Sequence, residues 1–276
     1  MNADGVTHGA ALREDGASVL PHPGDVVSPS PLALRLGRRW SGHPFRAAGL
    51  VGLAGYVGLT LLLLAAGYLV INSPAIERWD DDVMARIAAG STSSLDAVAQ
   101  WGSYLGETLV VIAIAAVAVA VMAWRKIWDG AGLLVVGLLV EVTVFLTVSM
   151  TIARPRPDVD QLDPAPPTGS YPSGHTAAAV VLYGTLALIA AARTRSRAVK
   201  ALCWILAIAL PSTVGIARLV LGMHHPTDLV GSLVGALACM LIALLAVRTA
   251  LVAARTREDP SNLDVTNELP REAVRS

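Results

Sequence analysis

The stretch Ala47–Ile71, AAGLVGLAGYVGLTLLLLAAGYLVI, contains no charged residue. A helix needs about 20 predominantly apolar residues to cross a bilayer, so this segment predicts a membrane span. It is too long and lies too far into the chain for a secretory signal, and no small-residue cleavage site follows it. Five more stretches carry the same signal, at 108–124, 130–152, 174–192, 200–221 and 227–247. The expected fold is therefore all-α, an integral membrane six-helix bundle. Composition agrees: 54% of the 276 residues are hydrophobic and 15% are charged, against about 25% charged in soluble domains.

The remaining chain organises around these spans. Residues 1–46 hold Pro, Gly, Ser and scattered charge without apolar periodicity, and are expected to be a mostly disordered N-terminal tail. Residues 47–248 form the six-span domain, and the polar residues 249–276 form a second tail. Basic residues collect in both tails, counting Arg248 at the border of the second, and in the loops at 125–126 and 193–200; only Arg78, Arg86, Arg154, Arg156 and Arg218 lie elsewhere. The positive-inside rule then puts both termini in the cytoplasm of a multi-pass plasma-membrane protein. The outer segment 72–107 is acidic, with an apolar stripe of helical spacing, and reads as short surface helices.

Zero net charge gives no reason to expect a nucleic-acid partner. Cys203 and Cys239 both sit in apolar runs and read as small buried hydrophobes. Neither a metal site nor any other cofactor is expected. Lysine occurs only at 126 and 200 among 21 basic residues, a bias that suggests a high-GC bacterial genome.

Unusual residues gather at the outer ends of the spans. The third span ends in Arg154-Pro155-Arg156-Pro157, and the fourth opens with Tyr171-Pro172-Ser173-Gly174-His175. The fifth ends in Ala217-Arg218, and His224-His225-Pro226-Thr227-Asp228 opens the sixth. Guanidinium forks on Arg156 and Arg218 match phosphate oxygens. The Ser173-Gly174-His175 helix start offers unpaired backbone N–H groups and the positive end of a dipole. His224 and Asp228 stand four apart, so a carboxylate can orient an imidazole toward an electrophile. His175 is then a separate imidazole, able to protonate a leaving group. Together these are an anion cradle, an oriented nucleophile and an acid, the parts that phosphoryl transfer needs.

These elements resemble the type 2 phosphatidic-acid phosphatase superfamily, which also contains bacterial acid phosphatases and vanadium haloperoxidases. Its pattern is Lys, six residues, Arg-Pro; then Pro-Ser-Gly-His; then Ser-Arg, five residues, His, three residues, Asp. Arg156-Pro157, Pro172–His175 and Arg218…His224…Asp228 match it. The resemblance implies His224 as the phosphorylated nucleophile, Asp228 as its orienting group and His175 as the acid. Arg156, Arg218, Ser173 and the Gly174 amide would hold the phosphate, without a metal, at the outer membrane interface. Two positions depart from the pattern: Ser149 stands where the family has lysine, and Ala217 where it has serine. Arg154 is the candidate replacement for the lysine.

Three further residues are pocket candidates. Ser149 and Tyr171 adjoin the motifs, and Glu141 is an ionisable group near the middle of the third span, a costly position that calls for a use. The expected function is dephosphorylation of a membrane lipid phosphate or pyrophosphate: phosphatidic acid, phosphatidylglycerol phosphate or a polyprenyl carrier. The alternatives are a phosphotransferase using the same site, and a catalytically weak lipid-binding scaffold given Ser149. The expected partners are the lipid substrate and membrane lipids; oligomeric state is not legible.

Overall fold

A computed structural model describes residues 30–258; the tail segments 1–29 and 259–276 lie outside the described residues. Among those described, nine helices and no strand occur. They are α1 (Pro31–Arg39), α2 (Pro44–Ile71), α3 (Pro74–Ala89), α4 (Ser93–Tyr104), α5 (Thr108–Trp124), α6 (Trp128–Ile152), α7 (Gly174–Arg193), α8 (Arg197–Val220) and α9 (Pro226–Glu258). Six segments are long and apolar enough to cross a membrane, α4 and α5 together counting as one from Ser93 to Trp124.

Part of the segment assigned to the N-terminal tail is helical. The Ser30 side chain caps α1 by accepting from the Ala33 N–H, and Pro31 takes the first helical position. The helix packs on the far end of α9, where Gly37 lies against Val252.

Helix α7 is the axis of the bundle. It touches α5, α6, α8 and α9, and two-thirds of its apolar window is buried. Its sequence explains this, since small residues such as Ala177, Ala179, Gly184 and Ala187 let neighbours approach closely. Leu133, Leu134, Leu182, Tyr183 and Val214 pack on one side of it. Val144, Val148, Tyr171, Val181 and Cys239 pack on the other.

The outward faces are just as apolar. Leu53, Leu61, Leu62 and Leu69 on α2 and Ile205, Ile208 and Ile216 on α8 are exposed. Patches of this size would drive association in water; hydrocarbon is the solvent that suits them. Exposed Tyr68, Trp79, Trp101 and Tyr104 mark one rim, and Trp124 and Trp128 mark the other. The protein is therefore a multi-pass membrane protein.

Helices α3 and α4 lie between α2 and α5 and cover the first rim. Helix α6 ends at Ala153, which takes a left-handed conformation, and Pro155 and Pro157 keep the chain from resuming the helix. The 153–173 segment then crosses the same rim before α7 begins.

Candidate active site

The site forms where the ends of α6, α7, α8 and α9 meet beneath α3, α4 and the 153–173 segment. Its centre is His224, which is buried between the end of α8 and the start of α9. Its Nδ1 lies 2.8 Å from the Ser170 carbonyl oxygen. A carbonyl only accepts, so Nδ1 carries the proton and donates, leaving Nε2 with a free lone pair. Burial pushes the imidazolium down to about 4, and the charges of Arg218 and Arg156 act in the same direction against Asp228. His224 is thus a neutral imidazole at ordinary pH.

Asp228 relates to this ring differently from the orienting contact expected of residues four apart. Helix α9 begins at Pro226, so His224 precedes it. The Asp228 carboxylate is 3.7 Å from His224 Nδ1, too far for a hydrogen bond. It accepts instead from the His225 N–H at 2.7 Å and from Arg154 at 2.6 Å. Asp228 contributes charge behind His224, while the Ser170 carbonyl fixes the ring.

Arg154 is placed in this supporting layer and not in the anion cradle. Its Nη2 donates to Asp80 of α3 at 2.7 Å, and its Nη1 donates to Asp228 and to the Thr227 hydroxyl. Burial alone would lower its pKa, but Asp228 and Asp80 more than offset that and raise it. Asp80 is fully buried and also accepts from the Thr227 N–H. The guanidinium therefore clamps α3 to the start of α9, which corrects its expected role as a phosphate-binding stand-in for lysine.

Arg156 and Arg218 stand near one another, and the charges of both act on His224. Arg156 donates to the Met223 carbonyl at 2.6 Å. Its pKa is lowered, first by burial and then by the charge of Arg218. Arg218 is buried and donates from Nη1 to the Ser103 hydroxyl at 3.0 Å and to the Asp163 carboxylate. Its Nε is buried with no partner among the described residues. Two adjacent guanidiniums and an unpaired donor make a site poised for an anion. Asp163 currently fills part of it. The loop bearing Asp163 is tied down by Leu162 N–H donating to the Leu221 carbonyl at 3.0 Å. Gly222, at φ +70°, lets the chain pass so close to the Asp160 carbonyl that a Cβ would sit 2.4 Å from it.

His175 occupies the second position of α7, and its Nε2 lies 3.0 Å from a carboxylate oxygen of Glu107, the residue preceding α5. The Ser173 hydroxyl pairs with Thr176 at 3.1 Å, and Ser232 donates to both the Ser173 and Asp228 carbonyls. Gly174 faces the Phe145 ring so closely that a Cβ would lie 2.8 Å from it.

The remaining pocket candidates lie away from the cradle. Ser149 is fully buried and donates to the Gly169 carbonyl at 3.0 Å, fastening the end of α6 to the rim segment. Tyr171 is a core residue, because Gly67 and Gly231 leave room for its ring; burial raises its phenol to about 12. Glu141 is buried beneath Pro172, beside a small cavity shared with Ser232 and Cys239, and its Oε1 has no partner among the described residues. Among the described residues no group of three His, Cys, Asp or Glu side chains could hold a metal ion.

Four participants were missed by the sequence reading: Asp80, Glu107, Asp163 and the Ser170 carbonyl. Only Glu107 left a usable trace, as the acid immediately before a span.

Residues 130–251 match the family model described as the PAP2 superfamily. The fold is similar to a transmembrane PAP2 type phosphatidylglycerolphosphate phosphatase from Bacillus subtilis, at 24% identity and a TM-score of 0.57, covering 69% of this chain and 93% of that one. It is also similar to LpxE from Aquifex aeolicus, at 25% identity and a TM-score of 0.46, covering 59% and 93%. No curated protein matches the chain.

Proposed function

Since residues 130–251 match the PAP2 superfamily model, we propose that the protein is a phosphatase that removes the phosphate of a membrane lipid through a phosphohistidine on His224. The carrying observation is the pair Arg156 and Arg218, whose charges act on each other and on His224, with the Arg218 Nε unpartnered among the described residues. A tetrahedral dianion neutralises the paired guanidiniums and satisfies that donor.

In the first step the lipid phosphate displaces Asp163 from Arg218. His224 Nε2 attacks phosphorus, the P–N bond forms, and the P–O bond to the lipid breaks. Positive charge appears on the imidazole, where the Ser170 carbonyl holds the Nδ1 proton and the Asp228 carboxylate stabilises the ring from 3.7 Å. The leaving alkoxide takes a proton from His175, whose ring Glu107 holds in place. In the second step His175 accepts a proton from water, the water oxygen bonds to phosphorus, and the P–N bond breaks. Arg156, Arg218 and the N-terminal amides of α7 neutralise the equatorial oxygens throughout.

The substrate class follows from place. The cradle lies at one rim of an apolar bundle, where a lipid headgroup would lie, and the distribution of basic loops supports a topology with that rim outside the cell and both termini in the cytoplasm. Phosphatidic acid, phosphatidylglycerol phosphate and polyprenyl phosphates or pyrophosphates all present a suitable terminal phosphate.

The test is purified protein in detergent, assayed for phosphate release from these lipids with and without EDTA. Release that survives EDTA and vanishes in His224→Ala is expected. Activity lost to EDTA, or retained without His224, would contradict the proposal. Added alcohols distinguish hydrolysis from transfer by the products they yield.

A further inference from the structure

Helix α9 is 33 residues long, about 50 Å at 1.5 Å per residue. A hydrocarbon core is about 30 Å thick, so the last turns of α9 pass the rim opposite the active site. Arg248 stands at that crossing, about 33 Å along the helix from Pro226. Its side chain is half-buried, and its Nε is buried with no partner among the described residues. A buried N–H without an acceptor is costly, and the acceptor that a bilayer offers at this depth is a lipid phosphate.

Helix α1 packs on the same turns. Gly37 lies against Thr249 and Val252, so close that a Cβ would sit 2.5 Å from the Val252 side chain. The Gly42 N–H donates to the Ala253 carbonyl at 3.1 Å, and Ala33 is fully buried. These contacts fix α1 next to Arg248. From Ser30 to Ala47 the chain has four arginines and no acidic residue. Three of them, Arg35, Arg39 and Arg46, are exposed, and exposed Leu32 and Phe45 lie among them. Apolar side chains interleaved with arginine mark a segment that lies on a membrane surface, its guanidiniums level with the headgroups.

We propose that Arg248 and α1 form a second lipid site, which binds anionic phospholipids of the leaflet opposite the active site. The lipid phosphate accepts from the Arg248 guanidinium and satisfies its unpaired Nε. Arg35, Arg39 and Arg46 supply the surrounding charge that favours an anionic headgroup over a zwitterionic one. An acidic peptide or a nucleic acid would match the arginines alone, whereas a bilayer matches the arginines and the exposed Leu32 and Phe45 together. The bound lipid lies at the other rim from His224 and is not a substrate, so the inference stands apart from the phosphatase reading.

The experiment titrates the full chain in neutral detergent with phosphatidylglycerol or with phosphatidylcholine, reading bound lipid by native mass spectrometry and the shift in Tm. Excess inorganic phosphate is present throughout, to keep the Arg156–Arg218 cradle occupied. Phosphatidylglycerol should bind in preference to phosphatidylcholine and raise Tm as it saturates. Arg248→Gln and the double variant Arg35→Gln/Arg39→Gln should each weaken phosphatidylglycerol binding by about fivefold per arginine, the weight of one basic residue near a charged membrane surface. Phosphatidylcholine binding should be unchanged in both.

Equal binding of the two lipids by wild type would overturn the proposal as general lipid contact. A preference for phosphatidylglycerol that appears only when inorganic phosphate is left out would overturn it too, by placing the lipid in the cradle. An undiminished preference in the double variant would remove α1 from the site. Those two arginines are exposed and their replacement leaves the fold intact, so that variant carries the test even where Arg248→Gln does not fold.

Discussion

Replacing Asp163 with asparagine should make the site bind phosphate more tightly. In the resting protein the Asp163 carboxylate occupies Arg218, held there by a loop that the Leu162–Leu221 hydrogen bond and the turn at Gly222 press against the end of α8. An incoming phosphate must break this pairing before it can use the same guanidinium. A hydrogen bond to a charged group contributes about 1.5–3 kcal/mol. Asp163 is 20% exposed, so water compensates the displaced carboxylate in part and the lower end applies. Since about 1.4 kcal/mol is a factor of ten, Asp163→Asn should lower the inhibition constant for inorganic phosphate roughly tenfold. Asparagine preserves the size of the side chain and removes its charge. The assay is competitive inhibition by phosphate in detergent, with KM for a short-chain substrate as a second readout that should fall in parallel. An unchanged or higher inhibition constant would refute the idea that Asp163 competes with the ligand, and would assign it to holding the loop.

Three other outcomes are expected. Arg154→Ala strands the buried Asp80 and Asp228 carboxylates and should cost about 3–5 kcal/mol in denaturant unfolding; near-wild-type stability would show that the clamp is dispensable. Because burial holds His224 near 4 instead of 6.5, its neutral form persists in mild acid, and if His224 is the nucleophile as proposed, the acid limb of kcat/KM should fall below pH 5. Between those two values the unfolded chain binds a proton that the folded chain does not, so stability should decline as pH falls from 6.5 toward 4. A limb at pH 6.5 would contradict the buried, neutral ring. Glu107→Gln should lower kcat by about 10²-fold for an alkyl phosphate, and much less for an aryl phosphate whose leaving group needs no proton. Equal losses on both substrates would remove Glu107 from the protonation step.

Much of the architecture is legible because membrane spans are set by composition over long windows, and Ala47–Ile71 alone establishes the class. The cradle is legible for a different reason: Arg156, Ser173, His175, Arg218 and His224 are chemically distinctive and sit at span ends, which topology places on one rim. Arg154 shows the limit. Its sequence neighbourhood resembles that of Arg156, and only the approach of Asp80, on a helix far earlier in the chain, turns it away from the anion and into a clamp. Asp228 shows another. Spacing of four suggests a shared face, but Pro226 starts α9 after His224, and the ring finds the Ser170 carbonyl. A backbone acceptor has no residue signature. Tyr171 adjoins a motif in sequence, yet Gly67 and Gly231, both distant, draw its ring into the core.

Trapping the covalent intermediate tests the central claim most directly. Protein turning over a lipid carrying labelled phosphate is quenched in alkali, digested and mapped. The label should lie on His224, resist base, be lost in acid and be missing from His224→Ala. Steady turnover with no labelled protein, or with label on any other residue, would contradict nucleophilic attack by His224.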